Sequence, residues 1–302
     1  MSRKRHGEEH QQESEEALHP EQGLINDRGT LYVVATPIGN LRDITLRALD
    51  ALKSADIIAA EDTRNTSHLL GHYGISARLV ALHEHNERVA APKIIAALQE
   101  GKTVALVSDA GTPGISDPGA ILVQAVRAAG LPVIPLPGPN AAICALSAAG
   151  REDARFLFYG FLPAKAGARR KELEMLRELP YVLAFYEAPH RIVETVEDIL
   201  KVFGGEREIT FARELTKLFE SIHTCKLADA PAWLAGDPNR QRGEFVLLVS
   251  GAAAAEEGIS LEAQRILQLL LAELPLKLAV KLAAEISGEK KNALYDLALQ
   301  LK

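Results

Sequence analysis

The chain has 302 residues, a length that a soft prior of about 150 residues per domain divides in two. Hydrophobic residues at 47% and charged residues at 25% exclude a collagen, a coiled coil or a chain disordered throughout. With 34 basic and 40 acidic side chains the net charge is −6, which argues against a basic nucleic-acid coat protein and still leaves room for a local basic patch.

Residues 1–28, rich in Glu, Gln and His, read as a disordered tail without the apolar core of a signal peptide. His6, His10 and His19 lie in it and read as solvated rather than metal-binding. From Leu31 short apolar runs alternate with amphipathic stretches. Strands are predicted at 31–35, 56–60, 78–82, 103–107 and 131–136, and helices at 44–52, 89–99, 120–129 and 141–148. Continuous apolar runs separated by helices imply a parallel sheet covered on both faces, hence an α/β lobe over 29–150. A second, mixed α/β lobe is expected over 151–250, with strands at 156–161, 181–186, 208–213 and 245–250 and helices at 169–179 and 191–202. A small-residue linker, 251–258, leads to a helical tail over 259–302. There Leu276, Ala279, Val280, Ala283 and Ile286 share a face, Ser287-Gly288 breaks the helix, and Leu294, Leu297, Ala298 and Leu301 line the next one, the outline of a helix-turn-helix. The longest uncharged stretch, 128–150, holds four prolines and cannot cross a membrane as one helix. Cys144 and Cys225 make neither a disulfide framework nor a zinc module, and suit a reducing cytoplasm. A soluble cytoplasmic protein without a membrane partner is expected.

The loops after the strands carry the chemistry. Thr36-Pro37-Ile38-Gly39-Asn40 follows the first strand, where a doubly wound fold binds ligands. None of the 22 glycines is two residues from another, so no dinucleotide fingerprint exists, and Gly101-Lys102-Thr103 lacks the preceding glycine of a phosphate loop. A denser segment, Ser108–Gly119 (SDAGTPGISDPG), places three glycines and two prolines at a strand's carboxyl end and is expected to enter a helix at Pro118. There Asp109 could accept hydrogen bonds from an amine or a ribose, and Asp117 is placed to cap the helix. Pro137-Gly138-Pro139-Asn140 forms a third such loop, and three together favour a ligand site over simple turns.

These loops, with 61–64 (EDTR) and 135–150 (PLPGPNAAICALSAAG), resemble the tetrapyrrole methylase superfamily. Adding 185–191 (FYEAPHR), 212–217 (ARELTK) and 274–299, the chain is more narrowly similar to the bacterial branch that methylates ribosomal RNA; the resemblance runs from about residue 29 to 301. It implies a two-lobed α/β fold, a parallel-sheet lobe plus a mixed lobe, with a C-terminal helix-turn-helix tail. The implied activity is S-adenosylmethionine-dependent 2′-O-methylation of a decoding-region cytidine in small-subunit (16S) ribosomal RNA. The substrate would be 16S ribosomal RNA or the small ribosomal subunit, and relatives pair through their cofactor lobes, so a homodimer is expected.

The resemblance places Pro37, Asp109, Ala110, Gly111, Ile115, Asn140, Ala141 and Tyr186 on the cofactor, with plain packing an even alternative for Ile115 and Ala141. Arg64 reads as a substrate or interface residue, with capping by Asp62 or Thr63 as the structural alternative for its segment. His83-Glu84-His85 lacks a third ligand and reads as solvated or substrate-facing surface; no metal is implied. Lys165, Arg169, Arg170 and Lys171 cluster at a helix start, where the dipole disfavours cations, so a phosphate partner is expected. Lys217, if burial lowers its pKa, or Glu187 could take the hydroxyl proton, while Arg191 and Arg213 could grip phosphates. A surface ion-pair network is the alternative for the segment 213–220. Lys290 and Lys291 give the tail a local positive charge that suits phosphate contacts. Rival readings are a precorrin-type tetrapyrrole C-methyltransferase and a non-catalytic RNA-binding factor that uses the tail alone.

Overall fold

The computed structural model describes residues 28–151, 155–253, 259 and 261–301. The expected tail up to residue 27, most of the linker 251–258, and Lys302 lie outside the described residues. The chain divides into two compact units, Met1–Met175 with Val182–Val249, and Leu176–Tyr181 with Ser250–Lys302.

The first unit holds two five-stranded sheets. One is wholly parallel, with β1 (Leu31–Val34), β2 (Ile57–Ala60), β3 (Leu79–Ala81), β4 (Val104–Val107) and β5 (Val133–Leu136) in the order β3-β2-β4-β1-β5. β2 and β4, with sequences IIAA and VALV, are buried along their whole length because helices cover both faces. Those helices are α1 (Leu46–Ser54), α2 (Thr63–His72), α3 (Glu87–Gln99), α4 (Ala120–Ala128) and α5 (Ala141–Ala148). The strand order sets β1 between β4 and β5, so the three glycine-bearing loops leave neighbouring strands.

The second sheet is mixed, as the sequence led us to expect. β6 (Phe156–Phe161) runs parallel to β7 (Val182–Glu187), while β10 (Phe245–Val249) pairs antiparallel with both β7 and β8 (Glu208–Arg213). β9 (Ser221–Lys226) closes the edge. Connecting helices are α6 (Ala166–Leu176), α7 (Ile192–Phe203) and the short α8 (Ala230–Ala235). Sequence reasoning passed over β9 because Ile222, its one large aliphatic residue, faces solvent on an alternating edge strand. It also passed over α2, whose buried stripe is only Thr66 and Leu70.

The second unit is described by itself. α9 (Leu261–Glu273), inside the expected helical tail although no face was assigned to it, joins α10 (Leu276–Ser287) and α11 (Lys291–Gln300) around Ala263, Leu267, Val280, Ala283, Leu294 and Ala298. Gly288 ends α10 in the left-handed region at φ 73°, the break expected at Ser287-Gly288.

One helix start departs from expectation. α4 begins at Ala120, not Pro118, and its cap position is Gly119, at a φ of 132° that disfavours a side chain. Asp117 does not cap it. The amides of Gly119 and Leu122 donate instead to Glu87 Oε1, at 3.1 and 2.8 Å, from a side chain that is only 3% exposed. A carboxylate buried at a helix amino terminus is stabilised by the dipole and satisfies two orphan donors at once. Glu87→Ala should therefore lower stability by about 1–3 kcal/mol, the cost of buried donors left unpaired. A lowered urea midpoint with an unchanged m-value is the expected observation.

Candidate active site

The loops after β1 and β4 are tied by a pair of backbone hydrogen bonds, Thr36 N to Gly111 O at 2.9 Å and Gly111 N to Thr36 O at 3.0 Å. Gly111 makes this possible at φ 82°. Thr36 Oγ1 also donates to Ser108 O, and Thr112 Oγ1 to Pro139 O, both at 3.1 Å, so the third loop is bound to the second. Asn140 then caps α5 by accepting from Ile143 N at 3.1 Å. Against this platform lies the second lobe. Tyr186, at the end of β7, accepts from Ala142 N at 3.3 Å, and a Cβ on Gly39 would strike Lys217 and Thr216.

Between the lobes opens a cleft of 350 Å³. Ile38, Ala110, Gly111, Ile115, Asp117, Asn140 and Ala141 line it from the first lobe, and Phe161, Tyr186, Leu215 and Val246 from the second. Six of the residues proposed for the cofactor are thus together: Ala110, Gly111, Ile115, Asn140, Ala141 and Tyr186. Pro37 and Asp109 instead line a smaller neighbouring hollow. The Asp109 carboxylate accepts from Asp62 N at 3.1 Å and Asn65 Nδ2 at 2.9 Å.

Several charged residues expected to touch substrate are committed to the fold. Glu187, with its side chain fully buried, accepts from Ala188 N at 2.8 Å and Thr195 Oγ1 at 2.6 Å, with Arg191 Nε 3.1 Å away. It lines the cleft and also serves the corner between β7 and α7, where these partners occupy its oxygens. Arg191 also donates to the carbonyls of Leu162 and Pro163, at 2.6 and 3.3 Å, so gripping phosphate does not suit it. Lys217 holds Glu214 Oε1 at 3.0 Å and Glu244 Oε2 at 2.9 Å. Partial burial pulls its pKa down, but the two carboxylates outweigh burial and the net shift is upward, the reverse of what a general base needs. Arg213 spans Ser221 Oγ, Arg242 O and Phe219 O, bracing the 214–220 loop in which Glu214 and Thr216 adopt positive φ.

The basic cluster at α6 is corrected in the same way. Arg169 is 1% exposed and donates to Asp198 Oδ2 at 2.7 Å, while Arg170 takes Oδ1 at 2.9 Å. Asp198, on α7, supplies the negative charge for which a phosphate was invoked. Arg64 keeps an exposed side chain, although Asp62 holds it through Nε and Nη2 at 3.1 and 2.7 Å and caps α2 as well. The capping alternative for this segment is what the structure contains.

Acidic groups at the sheet edge behave differently. Burial raises the pKa of Asp117 to about 6, with repulsion from Glu61 and Asp109 adding and a hydrogen bond from Ser108 opposing. Burial likewise raises that of Glu61, which accepts from Asp109 N at 3.3 Å. Among the described residues Asp117 has no salt-bridge partner, so the cleft holds a half-buried anion without a cation. A residue strained at φ 64°, Ser116, precedes it and turns it into the cleft. Sequence reasoning had assigned Asp117 to capping; its missing cation was not legible there.

Fold and cleft together define a methylase of the tetrapyrrole class. Residues 30–231 match the family model Tetrapyrrole (Corrin/Porphyrin) Methylases, and 257–302 match the RsmI C-terminal HTH domain. Among solved structures, the methyltransferase CobJ superposes with a TM-score of 0.57 at 24% identity, covering 76% of this chain and 96% of that one. Uroporphyrin-III C-methyl transferase from Thermus thermophilus, complexed with S-adenyl homocysteine, gives 0.53 at 16% identity over 73% and 97%. These likenesses establish the fold. Ribosomal RNA small subunit methyltransferase I of Escherichia coli O157:H7 is 55% identical over 92% of this chain and 98% of its own length. The Pseudomonas aeruginosa protein of that name is 56% identical over 90% and 97%. The chain belongs to the ribosomal RNA small subunit methyltransferase I family.

The unpaired anion in the cleft has a testable cost. A carboxyl whose folded pKa lies above its unfolded value of 3.8 stabilises the fold fully below that value and loses the contribution as pH rises through about 6. Above pH 6 the ligand-free protein therefore bears a buried charge. Asp117→Asn should raise the melting temperature of the ligand-free protein more at pH 8 than at pH 5, and equal shifts at the two pH values would contradict the assignment.

Proposed function

We propose that this protein transfers a methyl group from S-adenosylmethionine to the ribose 2′-oxygen of a cytidine in the decoding region of 16S ribosomal RNA, either as free RNA or within the small subunit. The observation that carries this reading is the presence, in one chain, of the methylase cleft and the helix-turn-helix module, matched nearly end to end by relatives named for small-subunit ribosomal RNA. A tetrapyrrole substrate suits the chain less well. Solved tetrapyrrole enzymes are covered over 94–97% of their length but leave about a quarter of this chain without a counterpart.

The cleft fits the cofactor on its own terms. Ile38, Ile115 and Phe161 offer apolar walls, the Gly111 backbone can be approached closely, and Asp117 provides a counter-charge for a cationic ligand, since the other two lining carboxylates, Glu187 and Glu244, are paired with Arg191 and Lys217. When bound, S-adenosylmethionine supplies an electrophilic methyl carbon and leaves as the neutral thioether. The chain's part is to orient the nucleoside hydroxyl, exclude water and accept its proton. With Lys217 and Glu187 committed to the fold, Glu61 and Asp117 are the carboxylates whose affinity for a proton is raised. The exposed Lys290 and Lys291, at the start of α11, suit phosphate contacts, and the chain works as a homodimer.

Mapping ribose methylation on small-subunit RNA from cells with and without the protein tests the activity; an identical methylation map would refute it. S-adenosylmethionine should bind in calorimetry, weakening as pH falls through about 6 because protonation removes the Asp117 counter-charge. Lys290→Ala with Lys291→Ala should weaken RNA binding and flatten its salt dependence by roughly one unit of slope per lost contact, leaving cofactor affinity unchanged. Light scattering should give the mass of a dimer.

A further inference from the structure

The cleft shares a wall with a second hollow of 220 Å³. Along the β1 loop, Thr36 and Pro37 line the hollow and Ile38 the cleft; along the β4 loop, Ser108 and Asp109 line the hollow and Ala110 and Gly111 the cleft. The paired hydrogen bonds between Thr36 and Gly111 run through this partition. We propose that the hollow seats the base of the target nucleotide, drawn out of its stack, and that Asn65 and Asp109 select a base bearing an exocyclic amine. This rests on the RNA-methylating function proposed above and adds to it the place and the reader of the base.

The hollow lies below the ~300–1,000 Å³ usual for a whole cofactor or drug-sized ligand, a size that suits one ring system. Its lining has the mix by which a flipped base is read, with apolar walls from Pro37, Leu41 and Leu69 and with Asn65, His68 and Asp109 among its polar groups. The polar edge has a definite sense. An ionised Asp109 only accepts hydrogen bonds, and its carboxylate is held by Asp62 N and Asn65 Nδ2. Asn65 gives one of its two amide N–H groups to Asp109, so its carbonyl oxygen and one N–H remain. With the open lone pairs of the Asp109 carboxylate, the edge is rich in acceptors. It matches the amine of cytosine or adenine and opposes the carbonyl that uracil or guanine carries at the same place. Farther along α2 the hollow adjoins another, lined by Arg64, Ser67 and His68, with His68 common to both. A strand leaving the base seat along that face would meet the exposed Arg64.

The test uses the full-length protein and small subunits isolated from cells that lack it. Leu69→Trp fills the hollow and Asn65→Ala removes the reader; each should reduce methyl transfer by about tenfold or more, as loss of a good base contact does. Affinity for S-adenosylmethionine, measured by calorimetry, should stay within about twofold of wild type, since neither residue lines the cleft. On subunits carrying uracil at the mapped position, wild type should discriminate strongly and Asn65→Ala weakly. Transfer at the wild-type rate by both variants would overturn the proposal, as would loss of cofactor affinity in Asn65→Ala. If wild type itself transfers nothing to small subunits, the failure lies in the RNA-methylating reading beneath it. Should Leu69→Trp not fold, Asn65→Ala with its base discrimination decides the matter alone.

Discussion

Two backbone hydrogen bonds between Thr36 and Gly111 organise everything at the ligand-binding edge of this protein. A parallel sheet leaves its strand ends as separate loops, and nothing in the sheet's own ladder holds them together beyond the last residue. Here the loops after β1 and β4 are joined by one isolated antiparallel bridge, and side chains of Thr36 and Thr112 tie neighbouring loop segments to it. The result is a rigid ridge with one space on each side. The larger meets the second lobe; the smaller is closed by α2. Gly111 is indispensable to this arrangement because its φ of 82° is one that a side chain would strain.

Much of the charge in the first unit is structural. Glu87 satisfies the start of α4, Asp198 neutralises two arginines, and Glu187 gathers a hydroxyl, an amide and a guanidinium. Groups so fully paired are poor catalysts, since a proton acceptor must have an open lone pair and a raised affinity for protons. What remains functional is recognised by the opposite sign. Asp117 is half buried, raised to a pKa of about 6, and without a cation. An energetic penalty left unrelieved in the ligand-free protein is what a cationic ligand can remove on binding, and it is the physical link between the cleft's stability and its affinity.

Chemical separation between the two spaces follows from their walls. The cleft is mostly apolar and lined from both lobes, so it can enclose a flexible, amphipathic ligand. The hollow presents its acceptors from one lobe only, on α2 and the β4 loop. In the proposed reaction the methyl group passes from the cleft toward the hollow, and near their common wall the carboxylates of Glu61, Asp109 and Asp117 are close enough to repel one another. Under the proposed function this acidic edge faces a base and a hydroxyl and not a phosphate.

The parallel strands were legible in the sequence because burial on both faces leaves unbroken apolar runs such as IIAA and VALV, and the loop glycines were legible because few other residues tolerate their backbone angles. Residues of those loops, Ala110, Gly111, Ile115, Asn140 and Ala141, do come together in the cleft. The short polar helix α2 and the edge strand β9 were not legible, since neither buries a long enough apolar stripe to leave a period. Least legible of all were the partners of charged residues. Arg169 meets Asp198 from 29 positions away, so the local pattern and the dipole argument pointed it toward a phosphate, and Glu87 meets Gly119 from 32, a pairing that no local pattern marks. Sequence by itself determined which backbone turns stand at the sheet's edge, because steric limits on φ and ψ act within a few residues. Which charges are neutralised, and which one is left waiting in the cleft, only the tertiary structure decided, because a hydrogen bond or ion pair depends on separation in space and not along the chain.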